Sequence, residues 1–214
     1  MGSDLKKRKI LAEKTVDELR RLYPDASCSL DYDDPYFFLV RAILSAQCTD
    51  IRVNKTVEDL KDIAGSAEEV LKLGEERLGE VIKPCGLYRA KAKNIIKTTS
   101  IFINEWNSKI PENIDELVSC PGIGRKIGNL LLGELYGVPA LVVDTHFKRV
   151  TKRIGLTDSD DPSLVEKDVC EVTDPSVWIS LGHMAVAFGR DICVARSPKC
   201  GICPLKEFCR GKES

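Results

Sequence analysis

Apolar residues that return every third or fourth position constrain the fold of this chain more than any other feature. The spacing runs through Ile10 to Leu22 and Phe37 to Leu44, and again through Ile114 to Val118 and Leu130 to Leu135. Such a stripe buries one face of a helix; a strand needs alternation at every second residue. Helix starts are marked as well: Asp34 before Pro35 is a cap followed by a first-turn proline, and Pro111 precedes another helix. The strand-like run Ala140 to Val143 is too short and isolated to seed a sheet. The pattern predicts an all-α fold, with the N-terminal helix packed beside the C-terminal segment.

Composition sets the outer limits. At 214 residues the chain can form one large domain or two smaller, interleaved ones. It has no run of about 18 apolar residues to span a membrane. The first ten residues are polar and basic with no apolar stretch behind them, so no secretory signal is read. A cytoplasmic protein is expected. Nine cysteines, an odd count, then argue against a disulfide framework. Cys28, Cys48, Cys85, Cys120 and Cys170 are scattered and read as small buried hydrophobes, whereas Cys193, Cys200, Cys203 and Cys209 crowd into 17 residues. The last four look like a metal site.

The net charge of −1 conceals local imbalance. Lys83 to Lys97 holds five bases (Lys83, Arg89, Lys91, Lys93, Lys97) and no acid, and Cys120 to Gly155 has a net +4. Compensating acids lie in Glu58 to Glu80 and Thr157 to Pro175. Folding is expected to gather the bases on one face, as phosphate binding requires, with the acidic stretches solvating helices.

The most informative stretch is Ser119-Cys120-Pro121-Gly122-Ile123-Gly124-Arg125-Lys126. One helix is predicted to end near Ser119 and the next to run from about Arg125 to Tyr136. Gly122 and Gly124 permit positive φ and carry no Cβ, so backbone N–H groups can meet a ligand closely at a helix N-terminus that favours anions. Ile123 is expected to tuck into the helix pair. The result is a helix-hairpin-helix, which holds DNA phosphates without reading sequence. An αα-turn that binds nothing fits Pro-Gly-x-Gly equally well; Lys126 favours the DNA reading. Its place in the first helical turn, beside Arg125, disfavours a second positive charge and so favours the neutral, nucleophilic amine.

Asp144 follows in Leu141-Val142-Val143-Asp144-Thr145-His146. The helix from Lys126 to Tyr136 is about 16 Å long, and the connection from Gly137 to Val143 reaches roughly 24 Å when extended. It can therefore return Asp144 to the end of the helix that bears Lys126. An amine and a carboxylate in one cleft suit glycosidic chemistry: a nucleophile for C1′ and a carboxylate for oxocarbenium charge and proton transfer. Asp144 also suits the N-cap of a helix starting at Thr145, and one residue can do both.

The cysteine spacing is C-x6-C-x2-C-x5-C. Four thiolates on a loop-rich segment bind zinc or an iron–sulfur cubane. Zinc knuckles present two close pairs; the single x2 pair and the wide gaps here favour the bulkier cluster. Arg196 and Lys199, in the first loop, are expected to face phosphates.

These segments together resemble the endonuclease III family of the helix-hairpin-helix DNA glycosylases. The hairpin is similar to the family's LPGVGRK, and Val142 to His146 to its VDTH segment. Leu44-Ser45-Ala46-Gln47-Cys48-Thr49-Asp50 with Val53-Asn54-Lys55 resembles LSAQxTD…VNK, and Gly86-Leu87-Tyr88 with Lys91 to Ile96 resembles GLYxxKAxNI. The matches run in order from about Pro35 to Cys209. The resemblance implies two lobes: a six-helix barrel over residues 28–138 carrying the hairpin, and a lobe of residues 1–27 and 139–214 holding one 4Fe–4S cluster on Cys193, Cys200, Cys203 and Cys209, with the active cleft between Lys126 and Asp144.

The resemblance also makes Lys126 the Schiff-base nucleophile and Asp144 the assisting carboxylate. Gln47 and Leu87 fill the gap left by a flipped-out nucleotide. Gly122, Gly124, Arg125, His146, Arg149, Arg196 and Lys199 complete the expected DNA contacts. The implied activity is a bifunctional DNA glycosylase and AP lyase of base excision repair. It acts on oxidised pyrimidines in damaged double-stranded DNA, as a monomer needing no cofactor beyond the cluster. Four departures affect lesion choice more than reaction type: Ile127-Gly128 where Thr-Ala is common, Phe188 for His, Cys120 for an apolar residue, and the low net charge. The rivals are a monofunctional mismatch glycosylase, which generally lacks the lysine, and a non-catalytic DNA-binding iron–sulfur protein, which has no use for both Lys126 and Asp144. A general nuclease is disfavoured, because no carboxylate cluster suggests paired magnesium sites.

Overall fold

The computed structural model describes residues 2–213, and every helix or strand assigned among them is a helix. The α-helices are α1 (Gly2–Leu22), α2 (Pro35–Leu44), α3 (Asp50–Ile63), α4 (Ala67–Val81), α5 (Tyr88–Asn104), α6 (Ile114–Ser119), α7 (Arg125–Tyr136), α8 (Thr145–Ile154), α9 (Pro162–Cys170) and α10 (Trp178–Asp191). The all-α expectation therefore holds. Ala140 to Val143 is an extended connection with no strand partner, and it buries Leu141 and Val143. The chain divides into two compact units, one over Cys28–Tyr136 and the other from the flanking segments.

In the central unit α2 is the core element. Asp34 caps it by accepting a hydrogen bond from the Phe37 amide at 3.0 Å, Pro35 fills the first turn, and Tyr36 to Leu44 are all buried. Helices α3, α5 and α7 pack on α2, while α4 lies on α5 and α6 on α7. Phe37, Phe38, Leu39 and Leu44 lose nearly all solvent contact, each burial contributing about 1.5–3 kcal/mol. Pro111 precedes α6, and Asn113 caps it, accepting from the Asp115 and Glu116 amides at 2.8 and 3.2 Å. Close α6–α7 packing needs Gly128, since a Cβ there would lie 2.5 Å from Ile114 Cδ1.

One charged residue sits at the centre of this apolar helix. Arg41 is fully buried and ion-pairs with Asp33 (2.6 Å) and with Glu58, and Lys61 also pairs with Asp33. A buried guanidinium without such partners would be strongly destabilising.

In the flanking unit, Leu19 of α1 joins a core of Phe147, Val165, Leu181, Phe188 and Leu205. Arg8 of α1 donates to the carbonyls of Leu156 (2.5 Å) and Asp168 (3.2 Å), so the N-terminal helix does pack beside the C-terminal segment. Phe188, one of the departures from the family pattern, is a core residue set edge-on to Tyr23. No helix among the described residues is long and apolar enough to cross a membrane. Of the scattered cysteines only Cys85 and Cys120 are buried; Cys28 and Cys48, in connections between helices, and Cys170, the last residue of α9, are half-buried.

Candidate active site and cluster segment

The hairpin forms where the sequence predicts it. Helix α6 stops at Ser119, Cys120 is extended and buried, and α7 starts at Arg125. Gly122 has φ 85°, a left-handed conformation that glycine adopts without strain. Helix α5 holds the turn: Thr98 Oγ1 donates to the Pro121 carbonyl at 2.8 Å, and a Cβ on Gly122 would come within 3.0 Å of Asn94 Cβ. Ile123 is buried, as expected. Of the two glycines that permit positive φ only Gly122 uses it; the φ of Gly124 is not positive. Open space surrounds its Cβ position, which leaves room for a ligand to approach the backbone. Lys126 and Arg125 are exposed in the first turn of α7, Ile127 is half-buried, and Gly128 faces Ile114.

Two other exposed residues of the central unit share an unusual backbone. Gln47 has φ 52° and Leu87 has φ 48°, both left-handed. Leu87 is 60% exposed and stands before the first turn of α5. Left-handed conformations in residues with a Cβ cost about 1–3 kcal/mol each and persist only where surrounding structure imposes them. An exposed leucine in such a conformation gains nothing for the core.

In the flanking unit Asp144 is half-buried with extended backbone, and its Oδ1 accepts from the Phe147 amide at 2.7 Å, capping α8. His146 Nδ1 lies 3.2 Å from Arg149 Nη2. The Arg149 guanidinium also donates to the carbonyls of Cys193 (2.9 Å) and Gly189 (2.8 Å), which makes it a brace between α8 and the end of α10. Basic charge near α8 is partly consumed locally: Lys148 donates to the Asp160 carbonyl at 3.1 Å and Lys152 pairs with the Asp160 carboxylate.

The cysteine segment leaves α10 at Ile192. Cys193 is buried and Cys200, Cys203 and Cys209 are half-buried. Arg153, at the end of α8, was not singled out by the sequence. Its guanidinium donates to the carbonyls of Val194 (2.8 Å) and Ala195 (3.0 Å) and sits 3.6 Å from Cys193 Sγ, while its own carbonyl lies 3.3 Å from Cys209 Sγ. Burial pushes the Cys203 and Cys209 thiols up, and each also feels the charge of Cys193 and Cys200. Four thiols in one electrostatic neighbourhood resist joint ionisation unless a cationic centre balances them, and such a centre suits this donor set. Among the described residues no three such donors converge on a single-ion site; the fit rests on the chemistry of four thiols on one loop-rich segment, with Arg153 in contact with both Cys193 Sγ and Cys209 Sγ. Arg196 is exposed, and Lys199 pairs with Asp191 at 3.2 Å.

Lys91 was placed by the sequence in a basic run, yet it is 5% exposed. Its position on the stripe Lys91, Ile95, Thr98, Phe102 was the available signal, since that stripe is the buried face of α5.

Comparison with known proteins accounts for these features together. Residues 40–175 match the family described as "HhH-GPD superfamily base excision DNA repair protein", and residues 193–209 match the "iron-sulfur binding domain of endonuclease III". The cofactor is accordingly a 4Fe–4S cluster. The chain is 41% identical over 186 residues to endonuclease III of Rickettsia felis, covering 87% of each protein. It is 40% identical over 199 residues to that of Bacillus subtilis, covering 92% of this chain and 91% of the relative. A solved non-covalent endonuclease III–DNA complex is similar with a TM-score of 0.91 and 38% identity, covering 96% of this chain and 97% of that one. A thermostable thymine-DNA glycosylase, 23% identical with a TM-score of 0.79, shares the fold. This chain belongs to the endonuclease III family of helix-hairpin-helix base excision DNA repair proteins.

Proposed function

We propose that the protein is a bifunctional DNA glycosylase and AP lyase that removes oxidised pyrimidines from duplex DNA, acting as a cytoplasmic monomer. The observation that carries this reading is the exposed Lys126 in the first turn of α7, directly after the glycine hairpin. The left-handed Gly122 and the open space at Gly124 let backbone N–H groups meet a phosphate, and the helix N-terminus favours that anion.

The chemistry follows from the residue types. Lys126 Nζ attacks C1′ of the flipped nucleotide; the C1′–N bond breaks and its electron pair leaves with the base, which takes up a proton. Asp144 balances the positive charge that develops on the sugar and assists proton transfer, while its Oδ1 keeps the α8 cap. Lys126 Nζ loses a proton, and its lone pair then forms the C1′=N bond as the C1′–O4′ bond breaks; O4′ takes up a proton, the sugar ring opens, and the resulting C1′ iminium makes a C2′ proton acidic. Removal of that proton expels the 3′ phosphate by β-elimination and cuts the strand. Gln47 and Leu87 enter the duplex at the vacated position, the amide against the orphaned base and the leucine as an apolar wedge. Cys193, Cys200, Cys203 and Cys209 hold the cluster, which when bound cross-links the segment that carries Arg196 and Lys199. Arg149 contributes by bracing that segment, and His146 by lying against Arg149.

Borohydride trapping tests the reading on duplexes carrying thymine glycol, a plain abasic site, a G·T mismatch or no lesion. A covalent adduct on thymine glycol and abasic DNA, abolished by Lys126→Gln, is the expected result. Alkali-labile sites on a mismatch without any adduct would instead make the enzyme monofunctional. Duplex binding without cleavage of any substrate would make it a binding protein.

A further inference from the structure

We infer that Lys91 is a positioning residue for strand invasion, because its buried ammonium ties together the two loops that present Gln47 and Leu87. This inference rests on the gap-filling roles proposed for those two residues. Lys91 Nζ donates three hydrogen bonds, to the carbonyls of Leu44 (2.9 Å), Ala46 (2.7 Å) and Cys85 (2.8 Å). Leu44 stands three residues and Ala46 one residue before Gln47 on one side; Cys85 stands two residues before Leu87 on the other. The Lys91 amide also donates to the Leu87 carbonyl at 3.0 Å, so both ends of one residue bear on the wedge.

Hydrogen bonding is what lets a lysine be buried here. An ammonium carries three donors, and here all three meet backbone carbonyls that the ends of α2 and of the Lys83–Cys85 turn leave without helical partners. Burial lowers the Lys91 pKa, and the Cys85 and Cys48 thiols beside it oppose that effect. Carbonyls drawn onto one ammonium set the direction in which each chain leaves it. Both chains leave through a left-handed residue, Gln47 at φ 52° and Leu87 at φ 48°. The strain at the two positions is thus held by a common tie, and the two side chains are presented as a pair. Lys91 is itself buried and acts only through the two loops it joins.

The test uses the cluster-loaded enzyme with Lys91→Met, which keeps the apolar stem and removes the three donors. Lys91→Gln, with two donors for three acceptors, is the second variant. Single-turnover excision from a thymine glycol duplex is expected to fall about 10- to 100-fold in Lys91→Met, and less in Lys91→Gln. Strand cleavage at an abasic site in single-stranded DNA, where no opposite base is orphaned, is expected to match wild type. Combining Lys91→Met with Leu87→Ala is expected to add little beyond Leu87→Ala alone, since both act through one wedge. Equal loss on duplex and single strand, wild-type duplex activity in Lys91→Met, or loss of the fold in both variants would overturn the inference. Full duplex activity in both Gln47→Ala and Leu87→Ala would instead overturn the gap-filling reading itself, a result recognisable without any Lys91 variant.

Discussion

Arg153 reaches from the end of α8 to Cys193, with Nη1 3.6 Å from the sulfur and 2.8 Å from the adjacent Val194 carbonyl. A guanidinium there fixes the chain that carries the sulfur. Arg153→Ala removes those contacts together with the bond to Ala195. It should destabilise the segment by about 1–3 kcal/mol. The expected result is lower iron content and faster bleaching of the cluster's visible absorbance. Arg153→Lys should recover only part, because an ammonium cannot reproduce the planar fork. Unchanged iron and melting behaviour in Arg153→Ala would mean that the cysteines alone hold the loop.

Asp144 combines a cap with the proposed chemistry, and two substitutions separate them. Asparagine caps helices about as well as aspartate, so Asp144→Asn should retain stability within roughly 0.5 kcal/mol while excision falls sharply. Asp144→Ala should lose both activity and about 1 kcal/mol. Urea unfolding and single-turnover excision on the same preparations give the comparison. Near-wild-type excision by Asp144→Asn would leave Asp144 as a cap only.

The two hairpin glycines should respond differently to alanine. At Gly122 the positive φ and the nearby Asn94 both resist a Cβ, so Gly122→Ala should destabilise the protein by about 1–2 kcal/mol. At Gly124 nothing resists it, so stability should be retained. Duplex affinity should nevertheless fall roughly 5- to 10-fold in Gly124→Ala, since the methyl intrudes where phosphate approaches the backbone. Titration of an uncleavable abasic analogue measures this, and unchanged affinity would place the phosphate elsewhere.

Asp33 makes the central unit acid-sensitive. Desolvation pushes its carboxyl up, but hydrogen bonds from Lys61 and Arg41 outweigh that effect and hold it at about 2. The native value lies below the unfolded one, about 3.9. Its contribution is therefore present above the unfolded value and lost as pH falls toward 2. Asp33→Asn should destabilise by about 1–2 kcal/mol at pH 7, a figure reduced for the partial exposure of the carboxylate. The difference from wild type should shrink progressively below about pH 4. Equal urea midpoints at pH 7 would show that Glu58 alone satisfies Arg41.

The helical periodicity, the Asp34–Pro35 start, the Ser119 stop and the Arg125 start were all legible in the sequence, because each depends on neighbours within about one helical turn. The candidates Lys126 and Asp144 and the cysteine spacing stood out for the same reason: residue type and local spacing mark them. The Gly122 turn and the Asp144 cap are likewise local. Which of Gly122 and Gly124 takes the left-handed conformation was not legible, since permissiveness for positive φ does not say which glycine in a tight turn uses it.

What the sequence could not determine is which charges face inward. Lys91 counted as one more base in a run, and Arg41 sat unexplained in an apolar helix; tertiary structure buries both because carbonyls or carboxylates from distant segments meet them. Arg153 and Arg149 similarly acquire their work from loops some 40 residues away. Hydrogen-bond partners remote in the chain leave no periodic trace. The sequence by itself determined the helices and the residue types on which the proposed chemistry rests; only the tertiary structure decided which polar groups are partnered inside and which remain outward.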